Sequence, residues 1–176
     1  MIFHTTQINE ISSQLLEGKI GILPTDTVYG IHCMALHKTS IERVYEVKQR
    51  PESMPFITLI SEARELDLFD VVPNDFVLQQ IKELWPGPNT LVLKTSTGNF
   101  RSFRVTNYDF INAVLRETGP LLSTSANIHG QSCVKTIEEA VSVFGDMLDF
   151  YVEAGELHNK PSSVYKLENS AVIRLR

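Results

Sequence analysis

Four short stretches of this sequence gather hydroxyl and cationic side chains where an apolar run meets the surface. Pro24-Thr25-Asp26-Thr27-Val28-Tyr29-Gly30 lies between two such runs, and offers hydroxyl donors and one carboxylate at a strand exit. Lys48-Gln49-Arg50-Pro51 holds two cations two residues apart. Residues at i and i+2 do not share a helix face, so both address one object only if the helix ends here, and Pro51 disfavours the α conformation at Arg50. The same pair also serves as an ordinary complement to the negative end of a helix. Ser123-Thr124-Ser125-Ala126-Asn127 follows Leu121-Leu122 and presents three hydroxyls and an amide, either to ligand oxygens or to its own loop. Pro161-Ser162-Ser163 leads into another apolar run. Arg104, inside Phe103-Arg104-Val105, is a cation within a buried strand and needs an anion: a substrate carboxylate, or a structural Asp or Glu.

Hydroxyls beside Lys and Arg suit an anionic substrate held by charge-assisted hydrogen bonds of about 1.5–3 kcal/mol each. These loops show no nucleophile or general base, so positioning and charge neutralisation carry the chemistry, as in transfers at phosphorus. Other chemistries lack their signatures: there is no P-loop, no GxGxxG and no GxSxG. His4, His32, His37, His129 and His158 lie without metal-ligand spacing, so no metal-binding residues are assigned. Cys33 and Cys133 form no CxxC and read as free thiols.

A frame of alternating strands and helices must hold these loops. Ile20–Leu23, Ile31–Leu36, Phe56–Ile60, Thr90–Lys94, Phe103–Val105, Leu121–Thr124, Phe150–Val152, Ser163–Leu167 and Ala171–Leu175 read as strands. Helical spacing marks Ile8–Leu15 and Asp109–Arg116, Asn74 is a good N-cap for a helix to Leu84, and Thr39–Glu42 and Thr136–Glu139 have the capping-box pattern. The two prolines of Trp85-Pro86-Gly87-Pro88 demand an ordered turn. Strands alternating with helices predict an α/β domain with a twisted mixed sheet and flanking helices, and short non-alternating apolar strands predict a sheet covered on both faces. The 176 residues are one domain's worth, 1–176, without repeats or linkers. Sixteen Lys plus Arg against twenty-one Asp plus Glu give a net charge of −5, which argues against binding nucleic acid by bulk charge but leaves room for a local basic pocket. No apolar run is long enough to span a membrane and no secretory signal is visible, so the expected location is the cytoplasm. By these arguments alone the chain is an anion-binding α/β domain.

The same loops, in this order, resemble those of the YrdC-like family of threonylcarbamoyl-adenylate synthases, in the short form without an extra C-terminal domain. The matching pieces are Pro24–Gly30, Lys48–Pro51, Trp85–Thr90, Phe103–Val105, Ser123–Gly130 and Pro161–Ser163. The resemblance implies a deep electropositive groove and the conversion of L-threonine, bicarbonate and ATP to threonylcarbamoyl-AMP and pyrophosphate, with magnesium accompanying ATP. The product would pass to downstream tRNA-modification proteins, with direct tRNA binding weak or absent. It further implies that Lys48 and Arg50 are catalytic, phosphate-binding cations. Thr27, Arg104, Ser123 and Ser162 would hold threonine, Arg104 through the carboxylate. Thr90, Ser125, Asn127 and Arg174 would join Lys48 and Arg50 around ATP. Ser163 stands where the family often has threonine. Two other readings remain at this stage: an RNA-binding module of the same fold, and a synthase of another carbamoyl-type adenylate. For the synthase, Lys48→Ala and Arg50→Ala are both expected to cut turnover while stability stays near wild type.

Overall fold

The computed structural model of the chain describes residues 1–51 and 53–176. Among the described residues ten strands join one mixed sheet: β1 (Ile2–His4), β2 (Gly21–Leu23), β3 (Gly30–Met34), β4 (Ile57–Leu59), β5 (Asn89–Lys94), β6 (Phe100–Arg104), β7 (Leu121–Ser125), β8 (Phe150–Glu153), β9 (Ser163–Glu168) and β10 (Ala171–Arg174). Their spatial order is β1-β8-β2-β3-β7-β4-β6-β5-β9-β10. Flanking it are α1 (Ile8–Leu16), α2 (Lys38–Lys48), α3 (Asp75–Leu84), α4 (Asp109–Thr118) and α5 (Ile137–Phe144). The α/β architecture expected from the sequence is the one observed. Strand β1 is the element without a sequence signal: three residues, aligned only by parallel pairing with β8.

Successive residues of a strand face opposite sides, and the packing follows that alternation. On one side Ile22, Ile31, Cys33 and Leu122 meet Val44 of α2 and Ile137, Ala140 and Phe144 of α5. On the other, Leu23, Leu121, Phe150 and Val152 meet Ile11 and Leu15 of α1 and Ile111, Val114 and Leu115 of α4. The central strands are therefore covered on both faces, which is why they read as unbroken apolar runs rather than alternating ones. A third cluster, with Leu91, Leu93 and Phe103 against Ile81 of α3 and Trp85, closes the β5–β6 half.

Two helix starts behave as their sequences demand. Asn74 Oδ1 accepts from Val77 N at 2.9 Å, and Thr136 Oγ1 accepts from Glu139 N at 3.3 Å. The Thr39–Glu42 pattern does not cap: α2 begins at Lys38 with His37 as its N-cap and no side-chain cap bond, while Ser40 donates to Gly18 O. The helix starts one residue before the box, so the Thr39 hydroxyl lies inside its first turn, 3.3 Å from His37 Nδ1, rather than at the cap.

Asp149, just before β8, ties α2 to the sheet by accepting from Arg43 at 2.9 and 3.2 Å and from Ile20 N at 2.8 Å. Burial raises its carboxyl pKa, but the Arg43 and Ile20 hydrogen bonds outweigh that and hold it below the usual range. The unfolded chain therefore binds the extra proton first in acid, so this contribution is present above the ordinary carboxylate pKa and fades as pH falls through the depressed one. Asp149→Asn is expected to lose about 1 kcal/mol at neutral pH, solvent screening included. Its deficit against wild type should shrink below roughly pH 4, measured by urea unfolding at several pH values.

Candidate functional site

Strands β2 and β3 are antiparallel neighbours with Leu23 opposite Gly30, so residues 24–29 must turn back within a short loop. Thr25 organises it: its hydroxyl donates to Val28 O at 2.8 Å and accepts from the Thr27 and Val28 amides at 3.2 Å each. Tyr29 pins the loop from behind, donating to Gly155 O at 2.8 Å and accepting from Ala154 N at 3.0 Å. This leaves Thr27 Oγ1 to accept from Arg104 Nη1 at 3.0 Å across the sheet.

Arg104 ends β6 and is 4% exposed. Its Nε donates to Gly87 O at 3.1 Å, and its Nη2 pairs with the Asp26 carboxylate. The Trp85–Asn89 turn that supplies Gly87 is itself held by Trp85 Nε1 on Asn89 O at 2.7 Å and Gly87 N on Val105 O at 2.9 Å. Of the two partners that the sequence left open for Arg104, the structure contains the internal one, Asp26. A guanidinium carries five N–H groups, and three are spent in these contacts, so one on each terminal nitrogen is unspent among the described residues. Burial lowers the Arg104 pKa, and Asp26 opposes that fall.

A cavity of about 270 Å³ opens beside these groups. Thr25 and Thr27 line it from the β2–β3 loop, Arg104 from β6, and Ser123, Thr124 and Ser125 from β7. Thr90 of β5 and Ser162 face it with their hydroxyls 2.9 Å apart. Arg50 lines the rim, anchored by donation to Met54 O and Pro55 O at 3.0 Å each, with its guanidinium 5.0 Å from the centre of the Phe56 ring. The sequence-predicted residues Thr27, Arg50, Thr90, Arg104, Ser123, Ser125 and Ser162 thus share one hollow although they come from distant segments.

Three others stand elsewhere. Lys48 does not line the cavity; it is 1% exposed, and its ammonium donates to Ser125 O at 2.6 Å, Asn127 O at 2.9 Å and Asn127 Oδ1 at 3.0 Å. All three of its donors are committed to the end of β7 and the loop after it, and burial, with Arg50 as a smaller cause, pushes its pKa down to about 8. The separation of the two cations has a local cause: Gln49 is left-handed at φ 51°, so Lys48 ends the helix facing inward while Arg50 leaves it. Asn127 lies one layer back: its Oδ1 accepts from Lys48 and, at 2.7 Å, from Ser125 Oγ, and its Nδ2 donates to Ile128 O and Gln131 O. Arg174 turns its Nε onto Arg176 O and stays exposed. The C-terminal cation that lines the cavity is Arg176, donating to Ser162 O at 3.1 and 2.9 Å and to Ser162 Oγ at 3.4 Å.

Arg50, Arg104 and Arg176 therefore converge on one hollow in a chain whose net charge is −5. Arg176 weighs against the charged form of both other arginines. Among the described residues no Asp or Glu side chain lines the cavity, and Asp26, which meets Arg104, is already paired with it. The hollow can hold an anion with several negative oxygens, and hydroxyls can orient it.

A mixed sheet with helices on its faces, carrying an arginine- and hydroxyl-lined hollow between loops, is an α/β domain of an anion-binding class. The family model Sua5_yciO_yrdC, described as telomere recombination, matches residues 13–176. The chain belongs to the Sua5/YciO/YrdC family. It is 32% identical to the threonylcarbamoyl-AMP synthase of Pseudoalteromonas translucida over 174 residues, 91% of this chain and 92% of that protein. It is 29% identical to the threonylcarbamoyl-AMP synthase of Vibrio vulnificus over 185 residues, 96% of this chain and 98% of that protein. The crystal structure of P. abyssi Sua5 complexed with L-threonine has the same fold, with a TM-score of 0.91 at 24% identity. That match covers 100% of this chain and 57% of the P. abyssi chain.

Proposed function

We propose that this chain is a threonylcarbamoyl-AMP synthase, joining L-threonine, bicarbonate and ATP into threonylcarbamoyl-AMP with release of pyrophosphate. The relatives of similar length that carry this name support the reading. The observation that carries it is the meeting of Arg50, Arg104 and Arg176 with the β7 hydroxyls around one cavity that no Asp or Glu side chain among the described residues lines. The two unspent N–H groups of Arg104 suit the threonine carboxylate, and Thr27 and Ser123 line the same cavity to meet the rest of the amino acid. Arg50 and Arg176 suit the phosphates, and Thr90, Ser125 and Ser162 complete the polar wall. Lys48 and Asn127 act on the nucleotide side by shaping the loop that presents Ser125.

The amine of threonine attacks the carbon of bicarbonate and water is lost, giving a carbamate. A carbamate oxygen then attacks the α-phosphorus of ATP, the bond from that phosphorus to the β-phosphate oxygen breaks, and pyrophosphate leaves with the electron pair. Neither step needs a protein nucleophile. Both reactants are anions, so arginines that offset their repulsion and hold them in line supply the main acceleration. Magnesium enters as the companion of ATP: with Asp26 committed to Arg104, a hard cation would rest on phosphate oxygens and water more than on this chain.

The product is a reactive mixed anhydride, suited to transfer onto the tRNA nucleoside that receives a threonylcarbamoyl group, through downstream tRNA-modification proteins in the cytoplasm. Among the described residues no helix is long and apolar enough to cross a membrane. The test is substrate omission. Pyrophosphate release is expected only when ATP, L-threonine and bicarbonate are all present. Release that ignores threonine would point to another carbamoyl-type adenylate, and salt-sensitive RNA binding without ATP turnover to an RNA-binding module.

A further inference from the structure

A buried histidine behind the cavity, His32, has no part in the chemistry described so far, although the serine it meets, Ser123, does. His32 of β3 and Ser123 of β7 lie directly opposite each other in the sheet register. His32 is completely buried, with Nδ1 2.9 Å from Gly30 O and Nε2 3.1 Å from Ser123 Oγ. The ring lies against the α-carbon of Gly30: a β-carbon there would sit 2.7 Å from His32 Cε1, so glycine is what lets the ring reach both partners. A carbonyl oxygen only accepts, so Nδ1 carries the ring proton. Burial is the main force keeping the ring neutral, with pKa lowered to about 4, and the Arg104 charge adds to it. Nε2 is then a bare lone pair, and the Ser123 hydroxyl must donate to it.

Ser123 has one proton and His32 takes it, so the hydroxyl oxygen of this cavity-lining residue has only lone pairs left to offer. Ser125, two residues on, spends its proton on Asn127 Oδ1 in the same way. The β7 wall thus shows the cavity lone pairs, opposite arginines that show it only N–H groups. We propose that His32 makes Ser123 an obligate hydrogen-bond acceptor, and that Ser123 thereby recognises an N–H or O–H donor of the amino-acid substrate, a feature no arginine can read. The donor is either the amine that becomes the carbamate or the side-chain hydroxyl. His32 is a positioning residue rather than a base: taking a proton would create an imidazolium with no exposure, beside Arg104, with no carboxylate among its hydrogen-bond partners.

This inference rests on the proposed function, and calorimetric binding of L-threonine and L-valine together with KM measurements separates the two. Ser123→Ala and His32→Leu are each expected to weaken L-threonine binding and raise its KM about tenfold, the worth of one good hydrogen bond, with the KM for ATP unchanged. The double variant should be no worse than Ser123→Ala alone, because His32 acts only through that hydroxyl. His32→Gln should largely restore binding, since its amide can donate to Gly30 O and accept from Ser123. If the side-chain hydroxyl is the donor, Ser123→Ala loses its preference for threonine over the isosteric valine; if the amine is, both ligands weaken equally. Unchanged threonine binding in Ser123→Ala, additive losses in the double variant, or an equal rise in the KM for ATP would overturn this inference alone. Should His32→Leu fail to fold, Ser123→Ala and His32→Gln decide the matter. A wild-type protein that neither binds nor turns over L-threonine overturns both readings.

Discussion

Arg104→Ala is expected to lose about 3–5 kcal/mol of stability and about 10²-fold or more in kcat/KM toward the amino acid. The stability loss follows from Asp26, whose side chain is 13% exposed against 5% for Arg104. Removing the guanidinium leaves that carboxylate nearly buried without its partner, and also frees Gly87 O and Thr27 Oγ1. The catalytic loss follows from the two unspent N–H groups, whose charge-assisted bonds to a carboxylate are worth roughly 1.5–3 kcal/mol each. Arg104→Lys separates the effects. An ammonium beside Asp26 should recover much of the stability, but lacking the planar fork it cannot keep Gly87, Thr27 and Asp26 while gripping a second carboxylate. Urea unfolding and initial rates at varied amino-acid concentration check both. A lysine variant with wild-type kcat/KM would show that the guanidinium is only structural.

Lys48→Ala is expected to be nearly as damaging, by a different route from the one its sequence position suggests. Its ammonium is the common partner of Ser125 O, Asn127 O and Asn127 Oδ1, and the alanine variant leaves three acceptors and a cavity behind. A loss of about 3 kcal/mol or more, or about 6–12 °C in Tm, should accompany the fall in turnover as the Ser125–Asn127 loop loosens. Arg50→Ala is the contrast: its two bonds to loop carbonyls lie at the rim, so stability should stay within about 1 kcal/mol while turnover falls. A stable, inactive Lys48→Ala protein would mean that the ammonium swings out to the substrate.

These contrasts show what linear inspection reaches. Strands and helices were legible wherever period or cap was local, as at Asn74 and Thr136, and the cavity's hydroxyls were legible as loops because small polar residues cluster after apolar runs. Direction was not. Lys48 and Arg50 read as a pair, but one left-handed residue, Gln49, sends them to different layers. Arg174 read as the C-terminal cation of the nucleotide side, but it folds onto its own chain while Arg176 reaches Ser162. The signal available for His32 was a titratable ring inside an otherwise apolar strand, and its meaning depends on a serine 91 positions away.

Local chemistry alone determined that this chain forms alternating strands and helices, that its sheet is covered on both faces, and that four polar loops must sit at strand ends, because propensity and burial pattern act between near neighbours. The tertiary structure alone decided the strand order, the pairing of Asp26 with Arg104, the withdrawal of Lys48 behind the wall and the polarity of Ser123. Each of these depends on which distant strand lies alongside and in what register, and a one-residue slip would turn every such side chain to the opposite face.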